Sequence, residues 1–241
     1  MELIRRDTHK MIESAGQSYD DQMIKSRPRA ALWDMDGTLF DSTEYHWRSW
    51  RDTLADEGFI LTYERFLKSF GRRTDASLRY FYGRDIPPDM LERIGNAKES
   101  LFRKYVREQG IDLLPGIAEW LNRLKRTGWR QAIASSAPSL NVEAILSVLN
   151  ISGYFNSIIT AEDVTTSKPD PRVFLEAAAR LGVEPARCIV VEDVPAGIEG
   201  ARRAGMRSIG AGPGYLSLPA DLSIRTLAEL PEDSFDRLVP A

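Results

Sequence analysis

Asp34 and Asp36 stand two positions apart at the end of a short apolar run, Ala30-Ala31-Leu32-Trp33, with Gly37 and Thr38 directly after them. The run has the length and composition of a buried strand. Side chains alternate between the two faces of a strand, so this spacing predicts that both carboxylates share one side. Two carboxylates there repel each other, and their burial is costly unless a cation joins them. A hard divalent ion such as Mg²⁺, which takes oxygen ligands, meets that need. Gly37 lets the chain turn, and Thr38 offers a hydroxyl and a backbone N–H to an anion. For this pattern taken alone, a strand end with an acidic turn is the plainer alternative.

Other polar residues occupy comparable places. Ser135 and Ser136 follow the apolar end of Arg130–Ala134 and precede a helical stretch, where hydroxyl and N–H donors can meet a phosphate. Lys168 is followed by Pro169 and Pro171, which stiffen the chain and fix where the ammonium points. Glu192 and Asp193 come directly after Cys188-Ile189-Val190-Val191, and solvation alone explains acids there poorly.

The elements that must position these residues follow from periodicity. From Leu114 onward, helical stretches at 117–126, 138–149, 171–181 and 196–204 alternate with strand-like runs at 130–134, 157–160, 188–191 and 207–210, and a last strand is expected near 221–224. This alternation predicts an α/β fold, a Rossmann-like parallel sheet covered by helices on both faces. In such sheets ligands bind at the carboxyl ends of the strands, where the polar residues above fall. The intervening stretch reads as helices at 43–57, 63–70, 74–82 and 88–108, punctuated by Gly71, Gly83 and Gly110, with no strand. The expected organisation is an N-terminal arm (1–27), an α/β core (28–42 and 114–241) and an inserted all-helical cap (43–113).

The totals narrow the function classes. A formal net charge of -3 over 241 residues argues against a nucleic-acid surface. No run approaches the ~20 apolar residues of a membrane span, and Met1–Ser26 lacks the apolar core of a secretory signal. The single cysteine, Cys188, reads as a small core residue and fits a reducing compartment. A cytoplasmic enzyme, monomer or homodimer, is expected. Gly210-Ala211-Gly212-Pro213-Gly214 is not a dinucleotide fingerprint, because Pro213 intrudes and no amphipathic helix follows.

Taken in order, Asp34-Met35-Asp36-Gly37-Thr38-Leu39, Ser135, Lys168-Pro169 and Glu192-Asp193 resemble the four motifs of the haloacid dehalogenase superfamily. The resemblance spans roughly residues 28–230. It implies a phosphoaspartate mechanism in which Asp34 attacks phosphorus and Asp36 serves as general acid and base. It also implies that Ser135 binds the phosphate, with Ser136 and Thr38 beside it, and that Lys168 neutralises the nucleophile and the phosphoryl group. Mg²⁺ would be held by Asp34, Asp36 and Asp193, with Glu192 supporting its hydration shell. Dehalogenation is disfavoured, because that branch lacks the second aspartate.

Within the superfamily, 43–50 closely resembles the β-phosphoglucomutase branch, where a histidine at the His46 position contacts the general acid/base. Lys98, which opens Lys-x-x-x-Phe, is similar in spacing to a cap lysine that reads the substrate. One departure concerns the arginine that grips the distal phosphate in mutases: Thr74 stands at its position, and Arg73 lies one residue earlier. A mutase must hold a bisphosphate, whereas hydrolysis needs one phosphate site and a water. The expected function is therefore a Mg²⁺-dependent phosphatase of small phosphorylated metabolites, with His46, Arg73 and Lys98 contacting the substrate. A mutase and a non-catalytic phosphometabolite-binding regulator are the alternatives.

Overall fold

A computed structural model describes residues 27–241. The expected N-terminal arm lies outside the described residues, Arg27 apart. The sheet strands are β1 (Ala30–Trp33), β2 (Arg130–Ala134), β3 (Ser157–Ile159), β4 (Cys188–Glu192), β5 (Arg207–Ala211) and β6 (Leu222–Ile224). They run parallel in the order β3-β2-β1-β4-β5-β6. The order reverses between β1 and β4, which makes their carboxyl ends the switch point where such sheets bind ligands.

The helices are α1 (Thr43–Asp56), α2 (Tyr63–Leu67), α3 (Thr74–Tyr82), α4 (Pro88–Gln109), α5 (Ile117–Arg126), α6 (Ser139–Leu149), α7 (Arg172–Leu181), α8 (Pro195–Arg203) and α9 (Ser234–Leu238). Strand alternation feeds two cores. Ala31, Trp33, Ile133, Ile189 and Val191 pack with α5, α6 and α9, while Ala30, Leu32, Ala132 and Val190 pack with α7 and α8. In α5 the buried residues Ile117, Trp120, Leu121 and Leu124 recur at the spacing of one helical face. Both faces of the sheet are thus covered, which is why the central strand β1 is apolar throughout.

The helical insert has a core of its own, in which Trp50, Leu54, Phe66, Leu78, Phe81 and Ile94 are buried together. Helix α4 reaches out of it. Phe102 and Val106, near its C-terminal end, join the core on the α5 side of the sheet. Helix α2 stops at Leu67, short of the predicted 70. The Ser69 hydroxyl donates to the Phe66 carbonyl at 2.7 Å and competes with the helix ladder. Helix α9 was not expected: five residues are too few to show periodicity.

Candidate active site

The carboxyl end of β1 delivers Asp34. Its N–H still bonds to the Val191 carbonyl at 3.0 Å, so the strand register fixes the residue. The chain then leaves the sheet through Gly37, whose φ of +84° suits glycine. A Cβ at Gly37 would lie 2.2 Å from Asp193 Oδ2, so only glycine lets this turn pass the acid on β4.

The Lys168 side chain is 8% exposed and donates to Asp34 Oδ1, and to Glu192 Oε1 at 2.7 Å. Burial opposes its charge, but these two carboxylates outweigh burial and raise its pKa. Glu192 accepts from the backbone N–H groups of Asp193 and Val194 at 2.9 and 3.0 Å through its other oxygen. Thr38 Oγ1 donates to Asp193 Oδ1 at 3.1 Å.

Oxygens of Asp34, Glu192 and Asp193 lie within 4.8 Å of one another. Burial drives the Asp34 carboxyl well up, against Lys168 and with the help of Glu192 and Asp193. Burial and Glu192 push Asp193 up to about 7. One ammonium therefore does not balance the three acids. Hard oxygen donors with surplus negative charge fit a divalent cation.

Asp36 is placed differently from expectation. It lines the same cavity, but its carboxylate lies outside the acidic cluster and faces the helical insert. His46 Nε2 sits 3.2 Å from Asp36 Oδ1, and His46 Nδ1 sits 2.9 Å from Lys98 Nζ. An ammonium can only donate, so Nδ1 accepts and the ring proton lies on Nε2, pointing at Asp36. Burial acts to raise the Asp36 carboxyl, but the hydrogen bond from His46 and the charge of Lys98 behind it prevail and hold it below the ordinary carboxylate range. The His46 ring stacks on Phe102 at 4.2 Å, which fixes its plane. The side-chain carboxylate of Asp36 is thereby engaged with the insert and not with Asp34, Glu192 and Asp193.

Thr38 also departs from expectation. It is not among the cavity's lining residues, and its hydroxyl is engaged by Asp193. Ser135, Ser136, His46, Arg73 and Lys98 do line the cavity, together with Asp34, Lys168, Glu192 and Asp193. Ser135 N bonds to the Ile159 carbonyl at 3.0 Å, and its Oγ accepts from Ala137 N at 3.0 Å, so the loop after β2 is tied to β3. Arg73 sits at the start of α3, 4.0 Å from Asp75, with its side chain 39% exposed and able to move toward a ligand.

Lys98 is not solvated: it is 2% exposed and pairs with Glu99 at 3.0 Å. Glu99 was not singled out from sequence. Burial would raise it, but the charge of Lys98 and the hydrogen bonds from Thr74 and Asn141 lower it to about 2. Thr74 Oγ1 donates to Glu99 at 2.7 Å. An acid beside Lys98 on the apolar side of an amphipathic helix was the available signal. Cys188 is a free, buried thiol, pushed up to about 12 by burial, as a core residue should be.

A Rossmann-like parallel sheet whose switch point gathers acids, a lysine and hydroxyl donors has the layout of an α/β enzyme. The chain belongs to the haloacid dehalogenase-like hydrolase family, whose model matches residues 31–211. It is 34% identical to a Bacillus subtilis β-phosphoglucomutase over 211 residues, 84% of this chain and 91% of that protein. It is 33% identical to hexitol phosphatase B of Escherichia coli over 193 residues, covering 76% and 85%. The crystal structure of CbbY from Rhodobacter sphaeroides in complex with phosphate superposes with a TM-score of 0.76 at 30% identity, covering 84% of this chain and 96% of that one. Among the described residues no helix is long and apolar enough to cross a membrane.

Proposed function

We propose that this protein is a Mg²⁺-dependent phosphatase that hydrolyses small phosphorylated metabolites, sugar phosphates or phosphoglycolate-like acids, through a phosphoaspartate on Asp34. Asp34 attacks phosphorus as the bond to the leaving oxygen breaks, and that oxygen takes a proton from Asp36. The Asp36 carboxylate, held ionised by His46 in the free protein, first picks up that proton from solvent as the phosphate dianion binds beside it. Water, deprotonated by Asp36, then attacks the phosphoaspartate and releases inorganic phosphate. Lys168 offsets the charge on Asp34 and the transferring group, where fixed positive charge lowers the barrier most. Ser135 and Ser136 orient the phosphate from the end of β2. Asp34 and Asp193 would hold the cation, with Glu192 behind them anchoring Lys168. When bound, the ion supplies charge neutralisation at the phosphoryl oxygens. The segment 43–113 acts as a cap over this site.

The observation that favours hydrolysis over isomerisation lies in the insert. Thr74 occupies the position of the mutase arginine clamp, and its hydroxyl is given to Glu99. Glu99 in turn neutralises Lys98. The cap thus lacks a clamp for a second phosphate at that position. The mutase remains the second reading, favoured by the contact of Asp36 with His46, since controlled proton transfer at Asp36 is what isomerisation needs. Phosphate release from a panel of hexose, hexitol and pentulose phosphates and phosphoglycolate tests the proposal. A coupled assay for glucose 6-phosphate formed from β-glucose 1-phosphate tests the second reading. Isomerisation that outruns phosphate release would replace the first with the second.

A further inference from the structure

Asn141 is buried, 1% exposed, in the first turn of α6, just beyond the loop that carries Ser135 and Ser136. Its Nδ2 donates to Glu99 Oε2 at 2.6 Å, and its Oδ1 accepts from Arg103 Nη1 at 2.9 Å. A guanidinium only donates and a carboxylate only accepts, so the amide can face one way. Glu99 and Arg103 are one turn apart on α4, which lets one amide span both. Glu99 also accepts from Lys98 Nζ at 3.0 and 3.1 Å, Lys98 reaches His46 Nδ1 at 2.9 Å, and His46 reaches Asp36 at 3.2 Å.

We propose that Asn141 is a positioning residue, which couples the seating of the helical insert on the phosphate-binding loop to the placement of Asp36 through Glu99, Lys98 and His46. The residue type suits this task. An amide satisfies a lone pair of Glu99 without cancelling the charge that holds Lys98, whereas a lysine or arginine at 141 would compete for that carboxylate. Asn141 belongs to the core and Glu99 to the insert, so their bond exists only while α4 lies against α6. An insert that lifts leaves Glu99 short of a partner, and the ammonium that fixes the His46 tautomer loosens with it. The coupling rests on the reading of Asp36 as general acid and base.

Asn141→Asp tests it, since it keeps the shape and sets a second carboxylate against Glu99. Should that variant fail to fold, Asn141→Ser, too short to span both partners, takes its place. Two measurements are needed. The first is steady-state hydrolysis of the best panel substrate, with inorganic phosphate as a competitive inhibitor. Turnover (kcat) should fall at least about tenfold while KM and the phosphate inhibition constant stay within about threefold. The second is the imidazole ¹⁵N spectrum of His46 in a His9→Gln background, the sequence having two histidines. The parent should show a bare Nδ1 and a protonated Nε2, and the variant a mixture of tautomers. An unmoved His46 spectrum overturns the coupling, whatever the kinetics. So does unchanged kcat, or a loss of phosphate binding that parallels the loss of kcat, which would mark a merely structural part. If the parent turns over nothing on the panel, the phosphatase reading fails and the His46 spectrum alone decides the coupling.

Discussion

Gly197, in the first turn of α8, lies against Glu192 so closely that a Cβ there would fall 1.8 Å from Glu192 Oε1, the oxygen that accepts from Lys168. The helix after β4 is therefore packed onto a carboxylate of the site. Gly197→Ala should displace Glu192 and with it Lys168. We expect kcat/KM to fall at least about a hundredfold, while Gly153→Ala, which meets open space, leaves it unchanged. Phosphate release by the two variants checks this. Near-normal activity of Gly197→Ala would show that Glu192 can move without consequence.

Cation binding should depend on pH through Asp193. Burial and Glu192 raise its carboxyl to about 7 from an ordinary 3.8. The folded chain keeps a proton that the unfolded chain has released between those values, so this group's contribution to stability is lost as pH rises from about 4 to about 7. A bound cation must displace that proton. Mg²⁺ affinity, measured by calorimetric titration between about pH 5.5 and 8.5, should rise with pH and level off above about 7. An affinity flat across that range would contradict the assignment of Asp193 as a ligand.

Arg73 and Lys98 should behave differently on removal. Lys98 is buried against Glu99, and its loss strands a buried carboxylate, which costs about 3–5 kcal/mol. Lys98→Ala should therefore lower the melting temperature markedly. Arg73 is partly exposed, and Arg73→Ala should leave stability unchanged. It should lower kcat/KM for the preferred metabolite about tenfold, or about 1.4 kcal/mol, and change aryl phosphate hydrolysis much less. Equal losses on both substrates would assign Arg73 to closure or chemistry rather than recognition.

The strand-end residues were legible because a parallel sheet puts its chemistry where apolar runs stop. Asp34, Ser135, Glu192 and Asp193 each follow or end such a run, and Lys168 follows β3 in a proline-stiffened loop. Strand alternation misled for Asp36, because β1 ends at Trp33 and the turn at Gly37 sends the next carboxylate toward α1. The bond from Thr38 to Asp193 was not legible, because Asp193 lies across the switch point and no local pattern announces it. Glu99 and Asn141 meet from different parts of the chain, and only packing of α4 on α6 reveals the pair. Close approaches such as Gly197 on Glu192 were visible only as a glycine early in a helix.

Asp34 as nucleophile is what makes this protein a phosphatase in the proposed mechanism. Asp34→Asn keeps the size of the side chain and removes the attacking charge, while Lys168 retains Glu192 as partner. The measurement is steady-state phosphate release by the parent and by Asp34→Asn across the sugar-phosphate and phosphoglycolate panel, with Mg²⁺ present. The parent should turn over, and the variant should lose on the order of 10⁴-fold in rate. Hydrolysis by Asp34→Asn within about tenfold of the parent would contradict it.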